Sequence, residues 1–151
     1  MTVTETAGGE VRSRTPAHLW VVGILALLWN SFGAFDYLAT QLELEFYMSA
    51  FSEEQLTYFY AFPSWAVAAW AFGVWGAVAG SVGLLLRKNW SVWAFAISLA
   101  GMAVSSIYTM LLTDGIKLMG PGAVIMTVVI WAVAIFLLVY ARAMAKQGVL
   151  R

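Results

Sequence analysis

The stretch Leu19–Gln41 reads LWVVGILALLWNSFGAFDYLATQ. Its first half is uncharged and apolar, and its second half turns polar through Trp29, Asn30, Ser31, Asp36, Tyr37 and Gln41. A run of about 20 such residues, at about 1.5 Å per residue, matches a hydrocarbon core about 30 Å thick. Asp36 is the one acidic residue inside any apolar run of the chain. Arg12 and Arg14 ahead of the run imitate a signal peptide. The apolar core is longer than a signal core, however, so a first transmembrane helix is the expectation.

Three further runs follow: Ser64–Leu86 after Pro63, Trp90–Leu112 after the turn Arg87-Lys88-Asn89, and Gly122–Tyr140 after Gly120-Pro121. Proline suits the first turn of a helix, and no alternating strand pattern competes. The predicted fold is an all-α integral membrane protein, a four-transmembrane-helix bundle with both termini on the cytoplasmic side. Its expected organisation is a flexible cytoplasmic tail at 1–17, a membrane domain at 18–146 and a C-terminal cytoplasmic tail at 147–151. The spans lie at about 19–41, 64–86, 90–112 and 122–140.

Composition agrees. Of 151 residues 62% are hydrophobic and 11% charged, and the mean hydropathy is +0.83. A soluble domain so apolar would lack the polar surface to cover itself. The formal net charge is zero, so no bulk electrostatic attraction to nucleic acid is implied. There is no Cys, which excludes disulfides and thiolate metal sites, and the single His18 cannot supply paired axial imidazoles to a haem. No cofactor and no metal are expected.

Charge sets an expected orientation. Arg12, Arg14, Arg87, Lys88, Arg142, Lys146 and Arg151 fall on one side of a four-span arrangement, and only Lys117 falls on the other. Seven against one is a strong positive-inside bias. The opposite side carries Glu43, Glu45, Glu53, Glu54 and Asp114. In the long connection between the first two spans, Ser52-Glu53-Glu54-Gln55 has the form of a capping box. It predicts a short amphipathic helix lying on the outer face.

The small residues of the second span, Ala69, Gly73, Gly76, Gly80 and Gly83, are spaced 4, 3, 4, 3. The third span answers with Ala94, Ser98, Gly101, Ser105 and Tyr108 at the same spacing. Lipid gives helices no hydrophobic drive to associate, so close approach through small residues is the usual means. Gly73, Gly76, Gly80, Gly83, Ser98, Gly101 and Ser105 are therefore the expected packing residues of a tight antiparallel hairpin.

Asp36 lies about 25 Å along its helix from Leu19, near one boundary of the bilayer. At mid-bilayer a carboxylate would cost about 2.5–3.5 kcal/mol, and less near the interface. Two readings stand side by side: an interfacial carboxylate bonding to the outer loop, or a contact for a cation, proton or ligand. Trp29 shares its helical face. Asn30 needs partners in the low-dielectric interior, expected among Ser98, Ser105 and Tyr108. The candidate ligand-binding set is Trp29, Asn30, Asp36, Tyr37 and Tyr108, with Thr127 and Trp131 facing the same interior. The four glutamates of the outer loop fit no calcium-loop spacing. No nucleophile–base pair or phosphate loop is present, so no catalytic residue is named and an enzyme is not expected.

WNSFGAFDYLATQ, the acidic SEEQLTYFYAFPSW segment, AWAFGVWG and the serine-rich third span together resemble a family of small, mostly uncharacterised four-helix bacterial inner-membrane proteins. The resemblance covers the chain beyond its first tail. It implies the fold and the inner-membrane location, and it carries no established chemistry. The small multidrug-resistance exporters are also short and four-helical, but they depend on a glutamate embedded in the first helix. Asp36 lies nearer the surface, and the charge bias here is strong.

The functional expectation is a non-enzymatic membrane protein with an outward-facing polar pocket that binds or translocates a small molecule. The alternative is an accessory or assembly subunit packing against a larger membrane complex or lipid. Expected partners are accordingly membrane lipids, a small-molecule ligand, and a second copy or a larger membrane complex.

Overall fold

The computed structural model describes residues 14–151. Most of the expected tail at 1–17, including Arg12, lies outside the described residues. Four helices are long and apolar enough to cross a membrane: α1 (Ala17–Gln41), α4 (Ser64–Leu85), α5 (Trp90–Ile107) and α7 (Pro121–Lys146). Between them lie the short helices α2 (Glu45–Met48), α3 (Glu53–Tyr60) and α6 (Gly115–Met119). A π-helical turn, Tyr108–Leu112, prolongs α5 to the end of the expected third span. No strand occurs among the described residues.

Helix boundaries follow local chemistry rather than the ends of the apolar runs. α7 was expected to stop near Tyr140 and continues to Lys146, because Ala141, Ala143 and Ala145 are strong helix formers. It ends where Gly148 takes φ 71°. There Val149 N–H donates to Met144 O and Gly148 N–H to Ala145 O, which is a Schellman closure. α1 and α4 end in the same hydrogen-bond pattern, with Glu43 and Arg87 in the left-handed position at φ 51° and 56°. The connection between α1 and α4 holds two short helices where one was expected. α3 carries the full capping box: Gln55 N–H donates to Ser52 Oγ at 3.2 Å and Ser52 N–H to Gln55 Oε1 at 3.1 Å.

α4 and α5 form the closest pair. A Cβ on Gly101 would stand 2.6 Å from Ala69 O and 2.7 Å from Gly73 N, closer than real Cβ contacts allow. A Cβ on Gly80 would enter the Phe95 ring at 2.6 Å. Serines occupy the facing positions. Ser91 Oγ donates to Gly80 O at 2.7 Å and Ser98 Oγ to Gly73 O. Two serines seven apart bonded to two glycines seven apart fix an antiparallel register, and each bond satisfies a hydroxyl inside the helix pair.

α1 lies along α4, and α7 along α5. α1 and α7 do not pack along their length. They meet at one end, where His18 Nδ1 and Tyr140 Oη share a hydrogen bond. Around that point Leu19, Leu84, Phe95, Leu137, Ala141 and Met144 form the buried core. The residues at 147–151, expected as a tail, belong to this end. Val149 and Leu150 are buried, Arg151 N–H donates to Arg87 O, and Asn89 N–H donates to Arg151 O. Arg87 also reaches Thr15 Oγ1 at 2.8 Å. The opposite end carries α2, α3 and α6 under an aromatic cap in which Phe51, Phe59, Tyr58 and Phe62 contact one another in sequence.

Candidate functional site

Because α1 and α7 part from their junction at His18 and Tyr140, a space opens between them, backed by α4 and α5. It is a cavity of about 600 Å³. This lies within the range of about 300–1,000 Å³ usual for small-molecule sites. Its wall on α1 is Trp29, Asn30, Phe32, Gly33 and Asp36. α5 contributes Ser98, Met102, Ser105 and Ser106, the π turn Thr109, and α7 Thr127, Ile130, Trp131, Ala134 and Leu137. Gly115, Ile116 and Met119 of α6 close the end toward the short helices. Phe32, which is 75% exposed, faces the gap from α1, and exposed Met126 and Ile130 face it from α7. The access is therefore lateral, between two helices.

Three of the five candidate ligand residues, Trp29, Asn30 and Asp36, line this cavity. The amide and the carboxyl group that α1 places in the wall both have protein partners. Asn30 Nδ2 donates to Ser81 Oγ at 2.9 Å and to Ala77 O at 3.3 Å, both on α4. The expected partners Ser98, Ser105 and Tyr108 are not the ones used. Ser98 is committed to Gly73, and the α1 face that bears Asn30 rests on α4. Asp36 accepts a hydrogen bond from Tyr47 Oη on α2. Asp36 thus bonds to the connection between the first two long helices and also lines the cavity.

Tyr37 and Tyr108 are elsewhere. Tyr37 packs edge-on to Trp70, with ring centroids 5.0 Å apart. Tyr108 sits in the aromatic cap against Phe62 at 4.7 Å and Trp65 at 5.6 Å. On a helix Tyr37 adjoins Asp36 in sequence but points about 100° away from it, so one faces α4 and the other the cavity.

No family model, no curated protein and no solved structure matches this chain.

The residues that sequence reasoning passed over include Ser106, Thr109 and the α6 positions. Ser106 and Thr109 follow Ser105 toward the π turn, and Gly115 is buried against Tyr58. Ser106 gives no period of its own, and α6 is too short to leave one. The π turn supplies a partial signal in retrospect. Thr109 Oγ1 donates to Ser105 O at 3.1 Å and Thr113 Oγ1 to Tyr108 O at 2.9 Å, two side-chain bonds that compete with the helical ladder. Such turns concentrate at functional sites.

The electrostatics of the site are one-sided. Asp36 is the single acidic side chain of the wall, and no Lys or Arg lines the cavity. The ion pair found among the described residues, Lys117 with Asp114 at 3.0 Å, is an exposed i,i+3 pair on α6. Tyr47, outside the spans, has its phenol pushed well above the usual tyrosine range, first by burial and then by its bond to Asp36. Burial likewise raises Tyr58. Among the described residues no three His, Cys, Asp or Glu side chains gather as metal ligands would.

Proposed function

We propose that this chain is a non-enzymatic, multi-pass protein of a bacterial inner membrane, with both termini cytoplasmic, whose α1–α7 groove binds or translocates a small molecule. Membership of the small four-helix family that its sequence resembles is part of the same proposal. One observation carries the reading: the cavity between α1 and α7, bounded by a lone carboxylate, an amide and a file of hydroxyls within otherwise apolar helices. Polar groups inside a membrane-spanning bundle are costly, and they gather where they meet a ligand or water. The orientation is supported by the end of the bundle at which Arg87, Lys88 and Arg151 cluster with Thr15. Against an enzymatic role, His18 and Asp36 stand at opposite ends of α1, so the acid–base pair of a hydrolase is not assembled.

A ligand screen by thermal shift in detergent tests the groove. The expected result is a compound that raises the melting temperature of the wild type and has little effect on Asp36→Asn. If nothing shifts the wild type and Asp36→Asn melts identically, the groove is not a binding site.

The second reading, an accessory subunit, is favoured by α7, the most apolar and least buried of the four long helices. Its exposed Ile125, Val128, Ile135, Phe136 and Val139 would pack against another membrane protein or lipid. Stoichiometric co-isolation with a larger complex after mild solubilisation would establish it, and recovery of the chain alone would exclude it.

A further inference from the structure

The groove has a direction. Its lining runs along α7 from Ala123 to Leu137, about 21 Å at about 1.5 Å per residue. Toward α6 the wall gathers most of its polar groups, Asp36, Ser105, Ser106, Thr109 and Thr127, among the apolar side chains of Met110, Ile116 and Met119. Toward the His18–Tyr140 junction the wall is apolar, with Phe95, Val133, Ala134 and Leu137. A long slot with polar groups at one end and hydrocarbon at the other matches a molecule built the same way.

Its side is open as well. Phe32, Met126 and Ile130 both line the cavity and lie exposed at the gap between α1 and α7. In a bilayer that gap faces acyl chains, so a ligand can pass from the lipid without crossing water. The one ionisable group of the polar end is acidic and has no cation beside it. Asp36 is held by Tyr47 alone, and no basic side chain of the described residues is within ion-pair reach. A cation brought there favours the ionised carboxylate of Asp36 and gains an ion pair in a region of low dielectric, whereas an anion finds no positive partner.

We propose that the groove takes a single-chain amphipath with a cationic head, which enters sideways from the bilayer between α1 and α7. The head sits at Asp36 and the hydroxyls of Ser105 and Ser106, and the chain lies along Val133, Ala134 and Leu137. This rests on the reading of the groove as a ligand site and adds the class of ligand. A fatty acid or other anionic amphipath is the disfavoured occupant.

The test uses the full chain in phosphatidylcholine nanodiscs and a hexadecyl amine carrying a diazirine near its chain end. Light-driven labelling, mapped by mass spectrometry, should fall on α7 between Trp131 and Tyr140. The same chain with a carboxylate head should label that segment about tenfold less, equivalent to about 1.4 kcal/mol of selectivity. Asp36→Asn should cut labelling by the amine to a similar extent, while Tyr47→Phe, which keeps the carboxylate, should retain it. Ala134→Trp fills the slot and leaves Asp36 intact, and it should abolish labelling by both probes. Equal labelling by the amine and the carboxylate in wild type would overturn the cationic preference while leaving the groove as a site. Competition by choline at the amine's own concentration would overturn the requirement for a chain. Labelling untouched by Ala134→Trp would show that the probe lies outside the groove, and the ligand-site reading would fall with the proposal.

Discussion

Gly101 and Gly33 show how differently two glycines of spanning helices behave. A Cβ on Gly101 would collide with backbone atoms of Ala69 and Gly73, whereas a Cβ on Gly33 would meet nothing within 4 Å. Backbone cannot swing aside as a side chain does, so Gly101→Ala forces α4 and α5 apart. The expected cost is about 1–3 kcal/mol. Gly33→Ala should leave stability unchanged or raise it by up to about 1 kcal/mol through helix propensity, and its methyl would project into the groove. Unfolding of both variants in mixed detergent micelles checks the contrast, and similar stabilities would contradict the close α4–α5 packing at Gly101. From sequence alone Gly33 and Gly101 could be told apart only by the longer stripe to which Gly101 belongs.

The ends of the helices decide how the elements are joined. Arg87 ends α4 in a left-handed conformation that costs an L-residue about 1–2 kcal/mol. Part of that cost is offset where Arg87 bonds to Arg151 and Thr15. Arg87→Gly relieves the strain, keeps the backbone bonds and gives up the exposed bond to Thr15. A gain of about 0.5–1 kcal/mol in unfolding free energy is expected, and a loss would mean that the Thr15 contact outweighs the strain. At the other end, Tyr47 on α2 and Tyr58 on α3 have phenols raised above the ordinary value of 10.0. The sign follows from proton binding: the folded state holds these protons more firmly than the unfolded state. Their contribution is therefore complete below pH 10 and is lost as pH rises beyond it. Tyrosinate absorbance should show a late alkaline phase that coincides with loosening of the α2–α3 cap. Tyr47→Phe should remove part of that phase, and ionisation of every tyrosine near 10 would refute the prediction. Of these elements the capping box of α3 was readable from Ser52 and Gln55, because its bonds lie within four residues. The π turn and α6 were not, because Tyr108 and Gly115 are set by contacts with α3.

For the molecule as a whole, the two ends of the bundle differ in kind. Thr15, Arg87, Asn89 and Arg151 tie the start of α1 and the C-terminal residues to the α4–α5 turn, and aromatic rings with acidic residues cover the opposite end. A phosphatase fused after Glu45 should be active, and one fused after Arg151 inactive, if the positive-inside orientation holds. The reverse pattern would invert the bundle and place the Asp36 end of the groove toward the cytoplasm. Opening is lateral because α1 and α7 join at one end alone. A disulfide engineered across the gap from Phe32 to Met126, or to whichever α7 position has suitable Cβ spacing, should block ligand access without unfolding the bundle. Restored binding on reduction is the check.

The four apolar runs, the α4–α5 stripes and the cap of α3 follow from composition, spacing and local hydrogen bonding, so the order of residues was enough to establish them. The groove is another matter. Whether Asn30 turns to Ser81 or Ser98, whether Asp36 meets Tyr47, and whether Tyr37 and Tyr108 face the ligand space or the aromatic cap depend on how the helices rotate about their axes. In apolar spans with weak amphipathicity that rotation is set by partners far away in the chain. For the same reason the gap between α1 and α7 is visible only in the packed bundle, where each flanks the α4–α5 pair and the two meet at a single end.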